Sequence, residues 1–206
     1  MSGLFISFEG GEGSGKSTVI KKVKSVLENK GYDVVLTREP GGTDVSEKIR
    51  EVILYNEITP LTEALLFAAS RKEHIDKIVK PALDEGKIVL CDRFIHSSYV
   101  YQGIVQNVGI KKVKEINGLV LEDFFIDLVV LLDVDPTVGL TRIKENSREV
   151  NKIDGYDISF HEGVRNSYLK VINDEKNKII VDANLSESDV FEATITGVLK
   201  QLNKER

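Results

Sequence analysis

The residues 10–17, Gly10-Gly11-Glu12-Gly13-Ser14-Gly15-Lys16-Ser17, fit the spacing G-x-x-x-x-G-K-[ST]. Glycines let the backbone curl until several N–H groups point inward, which makes a cradle for phosphate oxygens. Lys16 adds a compact positive charge for the β- and γ-phosphates, and the Ser17 hydroxyl is a ligand for Mg²⁺. ATP or GTP is the ligand this pattern fits. Further along, the apolar run Ile88-Val89-Leu90-Cys91 ends in Asp92-Arg93. A carboxylate there can hold Mg²⁺ or its water shell, and the guanidinium beside it can clamp a second phosphate through two parallel hydrogen bonds. The plain alternative is an Asp–Arg ion pair at a strand end. Cys91, opposite Asp92 on a regular strand, reads as a buried, inert thiol.

Two other groupings suggest an acceptor site. Phe67 and Arg71 are four apart, so on a helix they share a face. A ring that stacks beside a guanidinium that donates is what a flat, carbonyl-bearing base needs; a core phenylalanine and a surface arginine are the ordinary alternative. Ser98, Tyr101 and Gln102 place a hydroxyl, a phenol and an amide on one face of an expected helix after Asp92, as a site or as a polar surface stripe. His74, His96 and His161 lack metal-ligand spacing and are assigned no chemistry.

Such groups need a scaffold that gathers them. Apolar runs at 4–8, 33–37, 88–91, 128–134 and 179–181 mostly lack polar alternation, which predicts strands buried on both faces of a parallel sheet. Between them, helices are expected at 17–30, 46–54, 60–83, 136–144, 162–173 and 188–202. Strands alternating with helices give a doubly wound α/β fold whose ligands bind along the carboxyl edge of the sheet. The phosphate loop then follows a strand and opens a helix, as its chemistry requires. Asp135 is expected to cap the helix that starts at Pro136.

The chain has 206 residues, 41% hydrophobic and 30% charged, which predicts one soluble domain over 1–206. A net charge of −5 argues against nonspecific nucleic-acid binding. One cysteine excludes an internal disulfide framework or a multi-cysteine zinc site. No leader-like or membrane-spanning run is seen, so a cytoplasmic location without membrane attachment is expected. The polar stretch 142–152 has no clear apolar face and is expected to belong to a lid, at about 142–154, that brings Arg142, Arg148 or Lys152 to the phosphates and excludes water. A plain solvated loop is the alternative.

The segments Phe8-Glu9-Gly10, Gly15-Lys16-Ser17, Thr37-Arg38-Glu39-Pro40-Gly41-Gly42-Thr43, Leu66-Phe67-Ala68-Ala69-Ser70-Arg71, Asp92-Arg93-Phe94 and Tyr101-Gln102-Gly103 follow in order. Together they resemble the signatures of the bacterial thymidylate kinase family, over nearly the whole chain. The resemblance implies a P-loop NTPase-type three-layer α/β/α fold with a five-stranded parallel sheet and a short lid. It implies transfer of the γ-phosphoryl of Mg-ATP to dTMP, and a homodimer. By the same resemblance, Phe67 stacks on thymine and Arg71 donates to its O4. Ser98 and Gln102 lie near the base edge, and Tyr101 sits against the sugar. Arg50 and Arg93 bind the acceptor phosphate, Glu12 faces the acceptor sugar, Glu39 lines the cleft and Asp92 works with Mg²⁺. One departure concerns the lid. The family often has Asp-Arg-Ile-Glu where this chain has Asn151-Lys152-Ile153-Asp154. A lysine lacks the arginine's fork of donors, and Arg148 is favoured as the lid cation.

Competing readings are another nucleoside or nucleotide kinase, and a nucleotide-dependent switch. A switch has no need of the acceptor set Arg50, Phe67, Arg71 and Gln102. Asn151-Lys152-Ile153-Asp154 also matches a guanine-reading motif literally, but it stands in a polar stretch and not after an apolar strand.

Overall fold

The computed structural model describes residues 3–145 and 155–204. Arg148, Lys152 and most of the expected lid lie outside the described residues.

Five strands form the sheet: β1 (Leu4–Glu9), β2 (Val34–Arg38), β3 (Ile88–Asp92), β4 (Leu128–Asp133) and β5 (Lys178–Asp182). All pairings are parallel, in the order β2-β3-β1-β4-β5. Every residue of β1 is buried, as a central strand covered on both faces requires. Leu4, Ile6 and Phe8 face one core with α1 (Lys16–Asn29) and α9 (Glu187–Lys204). Phe5 faces another, against Val89, Cys91, Phe94 and Phe124. Register brings the carboxyl edge of the sheet into line: Phe8 and Arg38 both pair with Asp92. The carboxylate that ends β3 thus stands beside the loop that leaves β1.

The expected helix 60–83 is broken into α3 (Pro60–His74), a wider π-type turn over Ile75–Val79, and α4 (Lys80–Asp84). Pro81 explains the interruption, because it lacks the N–H that would close the regular turn. After β3 come α5 (Ile95–Ser98) and a π-helical continuation over Tyr99–Val105. Next is α6 (Ile110–Leu121), which is absent from the sequence-derived helices. It packs close because Gly103 has no side chain: a Cβ there would lie 3.3 Å from the Ile110 Cα. The other helices are α2 (Asp44–Tyr55), α7 (Pro136–Glu145) and α8 (Ile158–Asn173). Asp135 does cap α7, its carboxylate accepting from Thr137 N at 2.9 Å. Arg142 belongs to α7 and not to a lid loop, and its guanidinium donates to the Ala183 carbonyl at 2.7 Å, beyond the end of β5.

Candidate active site

The loop between β1 and α1 curls as its glycines allow. Gly13, at φ 70°, is also pressed against α7, where a Cβ would lie 2.1 Å from the Gly139 carbonyl oxygen. Gly15, in the left-handed region, precedes α1, so the first N–H groups of that helix open toward the loop. Lys16 is 8% exposed and donates to the carbonyls of Gly10 and Gly11 and to the Ser14 hydroxyl, at 2.9, 3.0 and 3.2 Å. Burial, and then the nearby Arg93 charge, lower its pKa to about 8. The Ser17 hydroxyl donates to Asp92 Oδ2 at 3.0 Å. Hydroxyl and carboxylate thus share one spot, which is the hard-oxygen pair a magnesium ion takes alongside phosphate oxygens. Among the described residues no group of three or more His, Cys, Asp or Glu could hold a metal alone. The donor set therefore fits an ion that arrives with a nucleotide.

Asp92 is followed by Arg93 at φ 67°, an unusual conformation for a side-chain-bearing residue. The turn sends its guanidinium back across the loop. Nη2 meets Glu12 Oε1 at 2.6 Å and Nη1 donates to the Tyr168 hydroxyl at 2.8 Å. A chain of hydrogen bonds backs this contact. Ser97 Oγ gives its proton to Glu9 Oε2 at 2.7 Å, so its 2.8 Å contact with Tyr168 must be donated by the phenol. The fully buried Glu9 is fixed in turn by the Phe94 N–H at 2.8 Å. Arg93 is thereby tied through Tyr168 and Ser97 to a carboxylate under the sheet edge. Arg50, half-buried, donates to the Pro40 carbonyl at 3.1 Å. Burial lowers its pKa, and the charges of Arg38 and Arg93 lower it further. Two guanidiniums near enough for the charge of one to disfavour the other suit a dianionic phosphate. The ring of Tyr101 lies 5.5 Å from the Arg93 guanidinium carbon, with its hydroxyl buried beside that charge. Burial is the main cause of its pKa of about 12.

Arg71 departs from the surface alternative: it is 1% exposed. Nε donates to Glu39 Oε2 at 2.7 Å, Nη2 to Ser98 Oγ at 3.1 Å, and Nη1 to Asn117 Oδ1. The Asn117 amide donates to the Val113 carbonyl at 2.8 Å, which turns its oxygen toward Arg71. Glu39 uses its other oxygen on His74 Nδ1 at 2.9 Å, and His74 Nε2 meets Thr37 Oγ1 at 2.7 Å. Glu39 therefore lies buried behind Arg71, with both oxygens engaged, where a cleft-lining position was expected. Of the five N–H bonds a guanidinium carries, three are used here among the described residues. Phe67 is half-buried, one turn before Arg71. Gln102 is 3% exposed and donates to Glu63 Oε1 at 2.7 Å. Cys91 is buried with its thiol pKa raised by that burial, as expected of an inert core residue.

Sequence reasoning missed the supporting groups: Glu9, Glu63, His74, Asn117 and Tyr168. An acidic residue closing the apolar run Leu4-Phe5-Ile6-Ser7-Phe8-Glu9 was the one legible signal.

A parallel sheet of this order, a phosphate loop after its central strand, and an arginine clamp facing that loop define a P-loop phosphotransferase. Comparison with known proteins narrows the class. The thymidylate kinase family model matches residues 8–194. A thymidylate kinase of Geobacillus sp. (strain WCH70) is 46% identical over 98% of this chain and 99% of its own length. One from Staphylococcus epidermidis is 48% identical over 96% of this chain and 98% of its own. The crystal structure of thymidylate kinase from Ehrlichia chaffeensis superposes with a TM-score of 0.77 at 32% identity, covering 96% of this chain and 99% of that one. The chain belongs to the thymidylate kinase family.

Proposed function

We propose that this chain transfers the γ-phosphoryl group of ATP to dTMP, giving dTDP and ADP. One observation carries the reading. Arg93 links the phosphate loop, through Glu12, to a second cationic site with Arg50, and Arg71 on α3 reaches Ser98, next to the Ser97 that Arg93 meets at 3.4 Å. A nucleoside monophosphate has the matching shape, with a base at one end and a dianion at the other.

In this reading Lys16 and the loop N–H groups hold the β- and γ-phosphates. Ser17 and Asp92 would hold Mg²⁺ that enters with ATP, and the ion would neutralise charge on the phosphate oxygens. Arg50 and Arg93 hold the dTMP phosphate. One of its oxygens attacks the γ-phosphorus as the bond to the ADP oxygen breaks. The attacking oxygen is already anionic, so no strong general base is required. Positioning and charge neutralisation supply most of the rate enhancement. Glu12, paired with Arg93, faces the acceptor sugar, and the Tyr101 hydroxyl, buried beside Arg93, suits a contact there.

A homodimer is part of the proposal. α2, α3 and α6 pack in series along one flank, and Tyr55, Leu65 and Leu119 on them are 82%, 51% and 81% exposed. Exposed apolar residues on helices that pack in series suit a helix-packed interface.

An ADP-release assay with Mg-ATP tests the activity. ADP formation is expected with dTMP and not with thymidine. Hydrolysis indifferent to every acceptor would overturn the proposal.

A further inference from the structure

On α3, Glu63, Phe67 and Arg71 fall one turn apart, and on the facing segment Ser98, Gln102 and Gln106 do the same. The two rows meet as a ladder. At one end Arg71 Nη2 donates to Ser98 Oγ at 3.1 Å. At the other, Glu63 Oε1 accepts from Gln102 Nε2 and from Gln106 Nε2, each at 2.7 Å. Phe67 lies between.

An amide can face a ligand either way round, and its orientation is set by its partners. Glu63, as a carboxylate, only accepts. The Gln102 group facing it must be the NH₂, and the amide oxygen is then turned elsewhere. Among the described residues that oxygen accepts no hydrogen bond. The ladder therefore carries an acceptor, Gln102 Oε1, and a donor, Arg71, on the two facing rows, with Phe67 between Glu63 and Arg71 along its own row.

We infer that Glu63 is a specificity-determining positioning residue. By locking the Gln102 amide it selects a pyrimidine that carries N3–H and a 4-carbonyl over one that carries an N3 lone pair and a 4-amino group. Thymine and uracil have the first pattern and cytosine the second. Against cytosine, Gln102 Oε1 would meet a lone pair and Arg71 an amine. The inference rests on the acceptor reading of Phe67, Arg71 and Gln102.

The test is kcat/KM for dTMP and for dCMP in the wild type, Glu63→Ala, Glu63→Gln and Gln102→Ala, with melting temperature and KM for ATP measured alongside. Glu63→Ala frees the amide, and the dTMP:dCMP ratio is expected to fall by about tenfold or more, with KM for ATP unmoved. Glu63→Gln offers a donor as well as an acceptor, so it no longer fixes which end of the Gln102 amide faces it, and the ratio is expected to fall there too while the melting temperature stays near that of the wild type. Glu63→Met, similar in length, replaces the alanine variant should that one unfold. A ratio unchanged in Glu63→Ala or Glu63→Met but lowered in Gln102→Ala overturns the role of Glu63 alone. A ratio unchanged in Gln102→Ala as well overturns the acceptor reading with it.

Discussion

Arg71→Ala is expected to damage the fold as well as acceptor binding. The Arg71 and Glu39 side chains are 1% and 3% exposed and 2.7 Å apart. Removing one partner of a buried ion pair leaves the other charge uncompensated and costs about 3–5 kcal/mol. His74 still reaches Glu39 at 2.9 Å, but that is one contact where there were two. For a chain of this size each kcal/mol lowers the melting temperature by about 2–4 °C, so the drop is about 6–20 °C. Differential scanning fluorimetry without nucleotides reads this directly. The decisive comparison is Arg71→Ala with Glu39→Gln added. Neutralising Glu39 removes the stranded charge, so the double variant should melt higher than Arg71→Ala alone. A single variant within about 2 °C of wild type would refute the buried-pair argument, as would a double variant lower by the full cost of Glu39→Gln.

Tyr168→Phe deletes the acceptor of Arg93 Nη1 and the donor to Ser97; a charge-assisted hydrogen bond of about 1.5 kcal/mol predicts roughly a tenfold rise in KM for dTMP. An unchanged KM for dTMP in steady-state kinetics would show that Arg93 needs no such support. Lys16, with its pKa lowered to about 8, loses its proton in the folded chain before it does so unfolded. The penalty for charging it is present in full below that pH and fades as pH rises toward its ordinary 10.5. A bound triphosphate favours the charged form again. Nucleotide binding above pH 8 should take up a proton and weaken with rising pH, which calorimetry in buffers of different ionisation enthalpy detects; zero uptake at pH 9 contradicts it. Leu119→Glu should convert the proposed dimer to monomers by light scattering, and an unaltered mass would exclude α6 from the interface.

The strands were legible nearly to the residue, because runs such as Leu128 to Leu132 are apolar throughout and a doubly covered sheet demands that. The phosphate loop was equally clear, since its chemistry sits in consecutive positions. Helix α6 was not found. Only Val113 and Asn117 of it are buried, so its apolar face is narrow, and Gly118 weakens the pattern further. The frame around Arg71 was hidden for another reason. Glu39, Ser98 and Asn117 stand 32, 27 and 46 positions from it, and each is an ordinary residue in its own neighbourhood. His74 looked like a lone histidine until β2 and α3 brought Thr37 and Glu39 onto its two nitrogens. Polar groups that serve only to hold a functional side chain have no local signature; their positions are fixed by packing.

The acceptor's position is tested most directly by a crystal structure with dTMP alone. Thymine is expected against Phe67, its 4-carbonyl toward Arg71 and its N3 toward Gln102 Oε1, with the phosphate between Arg50 and Arg93. A dTMP phosphate lodged in the loop of Gly10 to Ser17, or a base away from α3, would contradict it.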